Sequence, residues 1–412
     1  MRVAFLTPEF VTEYQDGGGL GNYLDTMTRH LAAQGHEVEL FVPSEGKPHV
    51  FSHGAVRVER VSWRTVPFVT RSAVRVVGLA RLGPVKAALT WYGHASALAQ
   101  AMERRHQDAP FDIVQSADYR AAGMAVRRLP GRVHVMRCSN AADLYNPDLY
   151  TSGPSRGVPG ERYRERLEAV AIRRADAVYC PSKFIADHLG ARLGMPVGVV
   201  RPPRPPVTAA ASPDVLRERY FIHFGQLSPI KGTAWLAGAL KHVFEADPTF
   251  RMVWIGRGKM GDLKSALDAL GPYRANVLLV YPMPKAVLHG WVRGAEAAVL
   301  PSLVDNLPNT VIECLTLGIP VIGSAGASID ELVEPGITGE LVPIGNERAL
   351  ADAILKVWTG RSSARKGFQW SGPVADSFDP VVAIENWVQF ARSAGSPAET
   401  PVVTTRISRN VL

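Results

Sequence analysis

A proline cluster with a similar run of short apolar segments on either side constrains this chain more than any other feature. Arg201-Pro202-Pro203-Arg204-Pro205-Pro206 cannot lie inside a helix, where proline removes a hydrogen bond and clashes with the preceding turn. It cannot lie in a central strand either, where proline has no N–H for the ladder. It reads as the start of a linker that runs through Ser212-Pro213. Ahead of it, Val3–Leu6, Val38–Val42, Phe111–Gln115, Val133–Met136 and Ala177–Cys180 are short and nearly all apolar, as expected of strands buried on both faces of a parallel sheet. Behind it come Tyr220–Phe224, Arg251–Ile255, Val277–Val280, Ala297–Leu300 and Pro320–Ile322. Helical signals fall between the runs, such as the spacing of Leu24, Met27 and Leu31 and the stretch Trp235–Val243. A strand, a crossover and a parallel neighbour form a right-handed unit, and repetition of that unit builds a doubly wound sheet. The expectation is an α/β protein of two tandem Rossmann-like, doubly wound domains, the first over residues 1–203 and the second over 204–375. Val381–Ala391 reads as a short amphipathic helix carrying Trp387, and the polar tail 394–412 reads as disordered.

Cysteine and charge narrow the classes. Cys138, Cys180 and Cys314 in 412 residues are too few for a disulfide framework and lack the paired spacing of a zinc site, which favours a reducing, cytoplasmic setting. The N-terminal apolar run is closed by Pro8 and Glu9 and is too short for a signal peptide, and no apolar stretch is long enough to span a membrane. The net charge is +8, with the excess in the first half. Arg57, Arg60, Arg64, Arg71, Arg75, Arg81 and Lys86 stand near one acid, Glu59. This stretch is either a solvated face or a peripheral contact with an anionic membrane or acidic substrate. It lacks the aromatic interleaving of a nucleic-acid surface.

The chemistry is densest at Pro301–Pro320. A strand there runs into a loop and then a helix, with Asn306 read as the N-cap, Pro308 in the first turn, and Gly318 and Pro320 ending the helix. Such a helix start offers unpaired amides and positive dipole potential to a phosphate. The carboxylates of Asp305 and Glu313 repel a phosphate but can accept hydrogen bonds from hydroxyl-rich groups on either side of it. A nucleotide sugar has that composition. The competing structural reading is a capping Asp305 and a solvated Glu313. In Gly225-Gln226-Leu227-Ser228-Pro229-Ile230-Lys231-Gly232 a loop lysine can set its charge on a diphosphate, or simply lie on the surface. Gly17–Gly21 is glycine-rich but stands too far behind its strand for a dinucleotide fingerprint. Gly256-Arg257-Gly258-Lys259-Met260-Gly261 has the literal spacing, but the strand after it ends without the acid that would hold a ribose.

Together these residues resemble the retaining glycosyltransferases of family 4 (glycosyltransferase group 1), from residue 1 to about 390 and most strongly over 220–345. The resemblance implies the GT-B fold with a cleft between its domains. The family's pair of acids maps onto Asp305 and Glu313, with Asp in place of the first Glu. Its Arg and Lys for the diphosphate map onto Gln226 and Lys231, so the Arg is lost. Its N-terminal glycine loop maps onto Gly17–Gly21, and its reaction-centre His maps onto Cys138. The resemblance implies an N-terminal domain for the acceptor and a C-terminal domain for the nucleotide sugar, with the last helix, in 376–393, crossing back to the first domain.

In this reading Lys231, Asp305 and Cys138 are catalytic. Gly18, Gly19, Gln226, Asn306, Asn309, Thr310, Val311, Glu313 and Met283 bind substrate. Glu313 takes the ribose and Asp305 the transferred sugar, while Met283 and Pro282 lie by the base. The donor is of UDP or GDP type, with no metal and no cofactor besides it. The acceptor is left open, a small metabolite or a membrane-linked molecule, and so is the oligomeric state. The rivals are an epimerase or phosphorylase on the same fold, an NAD-dependent enzyme, and an inactive nucleotide-sugar binder.

Overall fold

A computed structural model describes residues 1–13, 19–44, 46–62, 72–73, 83–139, 143–144, 159–208 and 218–395. They fall into two compact units: one holds most of the chain up to Pro203 and resumes at Ser377, and the other holds Arg204–Asp376.

The first unit is a sheet of eight strands among the described residues: β1 (Arg2–Leu6), β2 (Glu37–Ser44), β3 (His49–His53), β4 (Val56–Ser62), β5 (Ile113–Ala117), β6 (Val133–Arg137), β7 (Ala177–Cys180) and β8 (Gly198–Val199). Their order is β3-β4-β2-β1-β5-β6-β7-β8. Every pairing is parallel except that of the edge strand β3 with β4. The helices α1 (Gly19–Ala33), α2 (Gly83–Asp108), α3 (Pro159–Arg174) and α4 (Lys183–Leu193) supply crossovers. Val3 and Phe5 of β1 pack with Leu24, Met27 and Leu31 of α1 on one face, while Ala4 and Leu6 face Leu98 and Met102 of α2 on the other. Burial on both sides is why these strands are continuously apolar.

The second unit is a six-stranded, wholly parallel sheet: β9 (Phe221–Gln226), β10 (Met252–Arg257), β11 (Val277–Val280), β12 (Ala297–Leu300), β13 (Val321–Ala325) and β14 (Gly339–Pro343). Its order, β11-β10-β9-β12-β13-β14, is that of a doubly wound nucleotide-binding sheet, and the winding reverses between β9 and β12. The helices are α5 (Thr233–Ala246), α6 (Met260–Ala269), α7 (Lys285–Gly294), α8 (Asn309–Thr316), α9 (Glu347–Trp358) and the short α10 (Pro373–Asp376).

The chain then returns to the first unit as α11 (Pro380–Ala394). Trp387 is buried there, stacked on Phe5 with ring centroids 6.1 Å apart, and its indole N–H donates to Gln115 Oε1 at 2.9 Å. A side chain at Gly198 would overlap the Phe390 ring, so β8 needs glycine for α11 to pack. The helix runs on through Ala394, where the polar tail was expected to begin, and the tail from residue 396 lies outside the described residues.

Part of the basic stretch is internally paired. Arg57 meets Glu39 at 2.8 Å and Glu59 at 3.0 Å, and Arg60 meets Glu13 at 2.9 Å. The sheet brings in acids that are distant in sequence, which local charge counting misses. Arg64, Arg71, Arg75 and Arg81 lie outside the described residues. No described helix is long and apolar enough to cross a membrane.

Candidate active site

In a doubly wound sheet the loops that leave the strand ends at the reversal point diverge and leave a crevice. In the second unit these loops follow β9 and β12. The β9 loop closes through a turn at Pro229–Lys231 into Gly232, with φ of 72°. A Cβ at Gly232 would overlap the carbonyl oxygen of Pro301, so glycine lets the two loops touch. The Leu303 amide then donates to Ile230 O at 2.8 Å and ties them together.

This contact brings together two residues 74 positions apart: the Lys231 ammonium is ion-paired with Asp305 Oδ2. The lysine side chain is 30% exposed and the aspartate 10%. Ser302 Oγ also donates to Oδ2, at 3.2 Å, and the Asn306 amide donates to Oδ1 at 3.0 Å. Ser328 Oγ donates to the Asp305 carbonyl at 3.1 Å and accepts from the Leu307 amide at 2.8 Å. Leu307, Ala327 and Ser328 all have positive φ, a strained conformation for residues with a Cβ that the hydrogen bonds around Ser328 hold in place.

Two expectations change here. Asn306 is not the helix cap: α8 begins at Asn309, its N-cap position is Pro308, and no side chain caps it. Asp305 is likewise no cap, because its carboxylate turns to Lys231, Ser302 and the next amide. The Val311 and Ile312 amides both reach Pro308 O, at 3.1 and 3.3 Å. Asn309 and Thr310 are left with amides that donate to no backbone carbonyl. The Val311 amide is taken by Pro308 O and its side chain is fully buried. Thr310 stands beside Gly225, where a Cβ would come within 3.3 Å of Thr310 Cγ2.

Glu313, in the middle of α8, is buried rather than solvated. Its Oε1 lies 3.7 Å from Lys285 Nζ and its Oε2 lies 3.6 Å from His289 Nε2, both on α7. His289 is fully enclosed and its Nδ1 is 3.1 Å from the Thr208 carbonyl. A carbonyl only accepts, so Nδ1 carries hydrogen and Nε2 is the atom turned to Glu313. Its neighbour Cys314 is buried, which pushes the thiol well above its usual range.

Gln226 ends β9 exposed, with Arg257 at the end of β10 as its register partner. Met283 is half-buried in the segment after β11. Sequence reasoning missed Ser302, Ser328, Lys285 and His289, which carry no local motif. It passed over Arg257 as part of a dinucleotide-like string. The glycines of that string have a packing role: Cβ atoms at Gly256 and Gly258 would overlap the carbonyl oxygens of Gly225 and Leu227.

His223, beneath the site on β9, bonds Val299 O at 2.8 Å and Thr233 Oγ1 at 3.1 Å, and burial lowers its pKa to about 4. It is a neutral strut between β9, β12 and α5.

In the first unit Gly17 and Gly18 lie outside the described residues, and Gly19 is the exposed first residue of α1. Cys138 lies in the interior. It is fully buried, its amide donates to Tyr179 O at 2.8 Å, and burial and a hydrogen bond with Cys180 push its thiol well above the usual range. A buried thiol of this kind is held as a neutral group in the interior. Among the described residues no group of three or more His, Cys, Asp or Glu side chains could hold a metal.

Two family models match the chain: Glycosyltransferase Family 4 over residues 17–203 and Glycosyl transferases group 1 over residues 218–360. The chain belongs to the family 4 glycosyltransferases. Among curated relatives, a D-inositol 3-phosphate glycosyltransferase from Arthrobacter sp. (strain FB24) is 26% identical and covers 95% of this chain and 97% of its own length. An alpha-D-kanosaminyltransferase from Streptomyces kanamyceticus is 26% identical over 34% of this chain and 38% of its own. Among solved structures, sucrose-phosphate synthase from Thermosynechococcus elongatus superposes with a TM-score of 0.71 at 18% identity, covering 95% of this chain and 98% of that one. A UDP-forming alpha,alpha-trehalose-phosphate synthase from Burkholderia xenovorans gives 0.66 at 13%, covering 96% and 99%. These likenesses show the two-domain GT-B fold.

Proposed function

We propose that this glycosyltransferase retains anomeric configuration and moves a sugar from a nucleoside-diphosphate sugar of UDP or GDP type to the hydroxyl of a small metabolite. The observation that carries the reading is the Lys231–Asp305 pair at the sheet's reversal point, beside the uncapped start of α8. Lys231 and the amides of Asn309 and Thr310 supply positive charge and donors to a diphosphate, with Gln226 at the rim. Asp305 accepts from hydroxyls of the transferred sugar and Glu313 from those of the ribose. As the anomeric carbon–oxygen bond breaks, negative charge grows on the departing phosphate, and Lys231 and the helix amides stabilise it. The acceptor oxygen bonds the anomeric carbon from the same face and passes its proton to the leaving phosphate oxygen, so no protein base is needed. No metal enters these steps.

The test has two stages. A thermal-shift panel with UDP, GDP, ADP and dTDP identifies the nucleotide; a ligand at 100 times its dissociation constant adds about 2.7 kcal/mol to the native state. Donor sugars of the responding nucleotide are then incubated with small polyols and sugar phosphates, and the product's anomeric configuration is read by NMR. Retained configuration with release of nucleoside diphosphate supports the reading. An inverted product, or nucleotide binding without any release across the panel, counts against it.

A further inference from the structure

Arg137 is a feature of the first unit that its fold leaves without an explanation. It is the last residue of β6, the end of the strand at which doubly wound sheets bind ligands. The residue is 7% exposed, and its Nε and Nη1 are buried without any hydrogen-bond partner. Among the described residues no carboxylate pairs with it; the guanidinium carbon lies 3.8 Å from the centre of the Tyr23 ring. The contrast with Arg132, just before the start of the same strand, is direct. That equally buried guanidinium is bonded to both oxygens of Glu103, at 2.9 and 2.7 Å, and to Arg127 O at 2.6 Å. Stacking on a ring offsets only part of the cost of taking a charge out of water.

The surroundings hold the guanidinium in place. The Tyr23 hydroxyl is 3.1 Å from that of Tyr179, Tyr179 donates to Gln115 Oε1 at 2.7 Å, and Trp387 donates to the same oxygen at 2.9 Å. The ring on which Arg137 stacks is therefore anchored through two strands and α11. Tyr23 also stands one turn into α1, whose first turn holds no acid. An unpaired, desolvated arginine fork held on this ring favours an anion.

We propose that Arg137 binds a phosphate or carboxylate carried by the acceptor. The assignment to the acceptor rests on the glycosyltransferase reading above. The donor's diphosphate already has Lys231 and the α8 amides in the second unit, so a separate cation in the first unit serves a separate anion. The acceptor is then an anionic hydroxyl compound rather than a neutral sugar.

The test uses the full chain and inorganic phosphate as the probe. Melting is followed against phosphate at constant ionic strength, with chloride as the control, while the responding nucleoside diphosphate saturates the donor site. Phosphate is expected to raise the wild-type melting temperature. Arg137→Gln should abolish that rise, and Arg137→Lys should weaken it by losing the fork. Without phosphate, Arg137→Met should melt no lower than the wild type, because it removes a charge the unliganded fold leaves uncompensated. A structural arginine predicts the reverse, so a Met variant that melts lower while Arg137→Gln still responds to phosphate overturns the proposal. A wild type that shows no phosphate response overturns it too. If the phosphate response seen without nucleotide disappears once nucleotide is added, the anion is the donor's, and the acceptor assignment falls. A chain that binds no nucleotide fails the glycosyltransferase reading instead. The phosphate series without nucleotide then decides the anion site by the same variants.

Discussion

Glu313 Oε2 faces His289 Nε2 across 3.6 Å, inside a contact that water does not reach from the histidine side. The same carboxylate has Lys285 at its other oxygen, at 3.7 Å. Neither distance is a hydrogen bond, so the carboxylate is oriented but keeps its accepting capacity for a ligand. Glu313→Ala should weaken nucleoside diphosphate binding by roughly 1.5–3 kcal/mol, the scale of a hydrogen bond to a charged group. Calorimetry with the responding nucleotide checks this, and unchanged affinity removes Glu313 from the site.

Lys231 is part-exposed and ion-paired with Asp305. Lys231→Ala should lower turnover by ~10² or more, the range for losing one group that stabilises developing charge. Steady-state release of nucleoside diphosphate measures it; near-normal turnover would take Lys231 off the leaving group.

In the mechanism proposed above, a lysine and a helix start take the place of a divalent cation, which predicts a reaction indifferent to chelation. Activity should survive dialysis against EDTA and should not rise when magnesium or manganese is restored. A metal requirement would sink the mechanism proposed here.

Three buried groups set opposite pH slopes. Burial lowers His134 to about 3 and His223 to about 4, from 6.5. The unfolded chain therefore gains protons below pH 6.5 that the native state refuses, and stability present above that pH is lost as pH falls towards these values. Burial raises Glu168 to about 8, from 4.5. The native state keeps a proton there that the unfolded chain has released, so stability falls as pH rises from 4.5 to 8. Each group contributes about 1.4 kcal/mol per pH unit inside its window. The two histidines outweigh the glutamate below 6.5, and the glutamate acts alone above it. The urea midpoint should peak near pH 6.5, and Glu168→Gln should flatten the alkaline side. A midpoint that climbs steadily to pH 8 in the wild type would contradict this.

Trp387 fills the first unit's core from the far end of the chain. Trp387→Ala should cost about 3–5 kcal/mol, as for other buried aromatic truncations. Trp387→Phe keeps most of the packing and should cost about 1 kcal/mol for the lost bond to Gln115. Urea unfolding followed by circular dichroism separates the two, and equal effects would mean that the hydrogen bond outweighs the packing.

Much of the fold is legible in the sequence because parallel strands buried on both faces leave continuous apolar runs, such as Val3–Leu6 and Ala297–Leu300. What is not legible has a common cause, the dependence of a residue's role on distant partners. The edge strand β3, its neighbour β4 and the last strand β14 are only part-buried, so their pattern is weak. Arg57 and Arg60 look like a bare basic patch until the sheet sets them against Glu39 and Glu13. Asn306 has the chemistry of a cap, yet the Asp305 carboxylate and the left-handed Leu307 delay the helix to Asn309. Cys138 occupies a loop in the linear reading but the interior in space. Lys231 and Asp305 are each unremarkable surface candidates by spacing, and only Gly232 lets their loops meet. His289 gives no signal at all, since what distinguishes it is Thr208 on one side and Glu313 on the other.

The return of α11 also bears on the order in which a ribosome can finish this molecule. The bond from Trp387 to Gln115 joins residues 272 positions apart, and between Arg204 and Asp376 the intervening chain makes its own sheet. Long-range contacts of this kind form late because the chain between them must be made first. The unit translated first is thus the last to close. Until Trp387 emerges, Phe5 and the polar cluster of Tyr23, Gln115 and Tyr179 have no cover from α11, and the nascent chain carries an unfinished core through the synthesis of its second half.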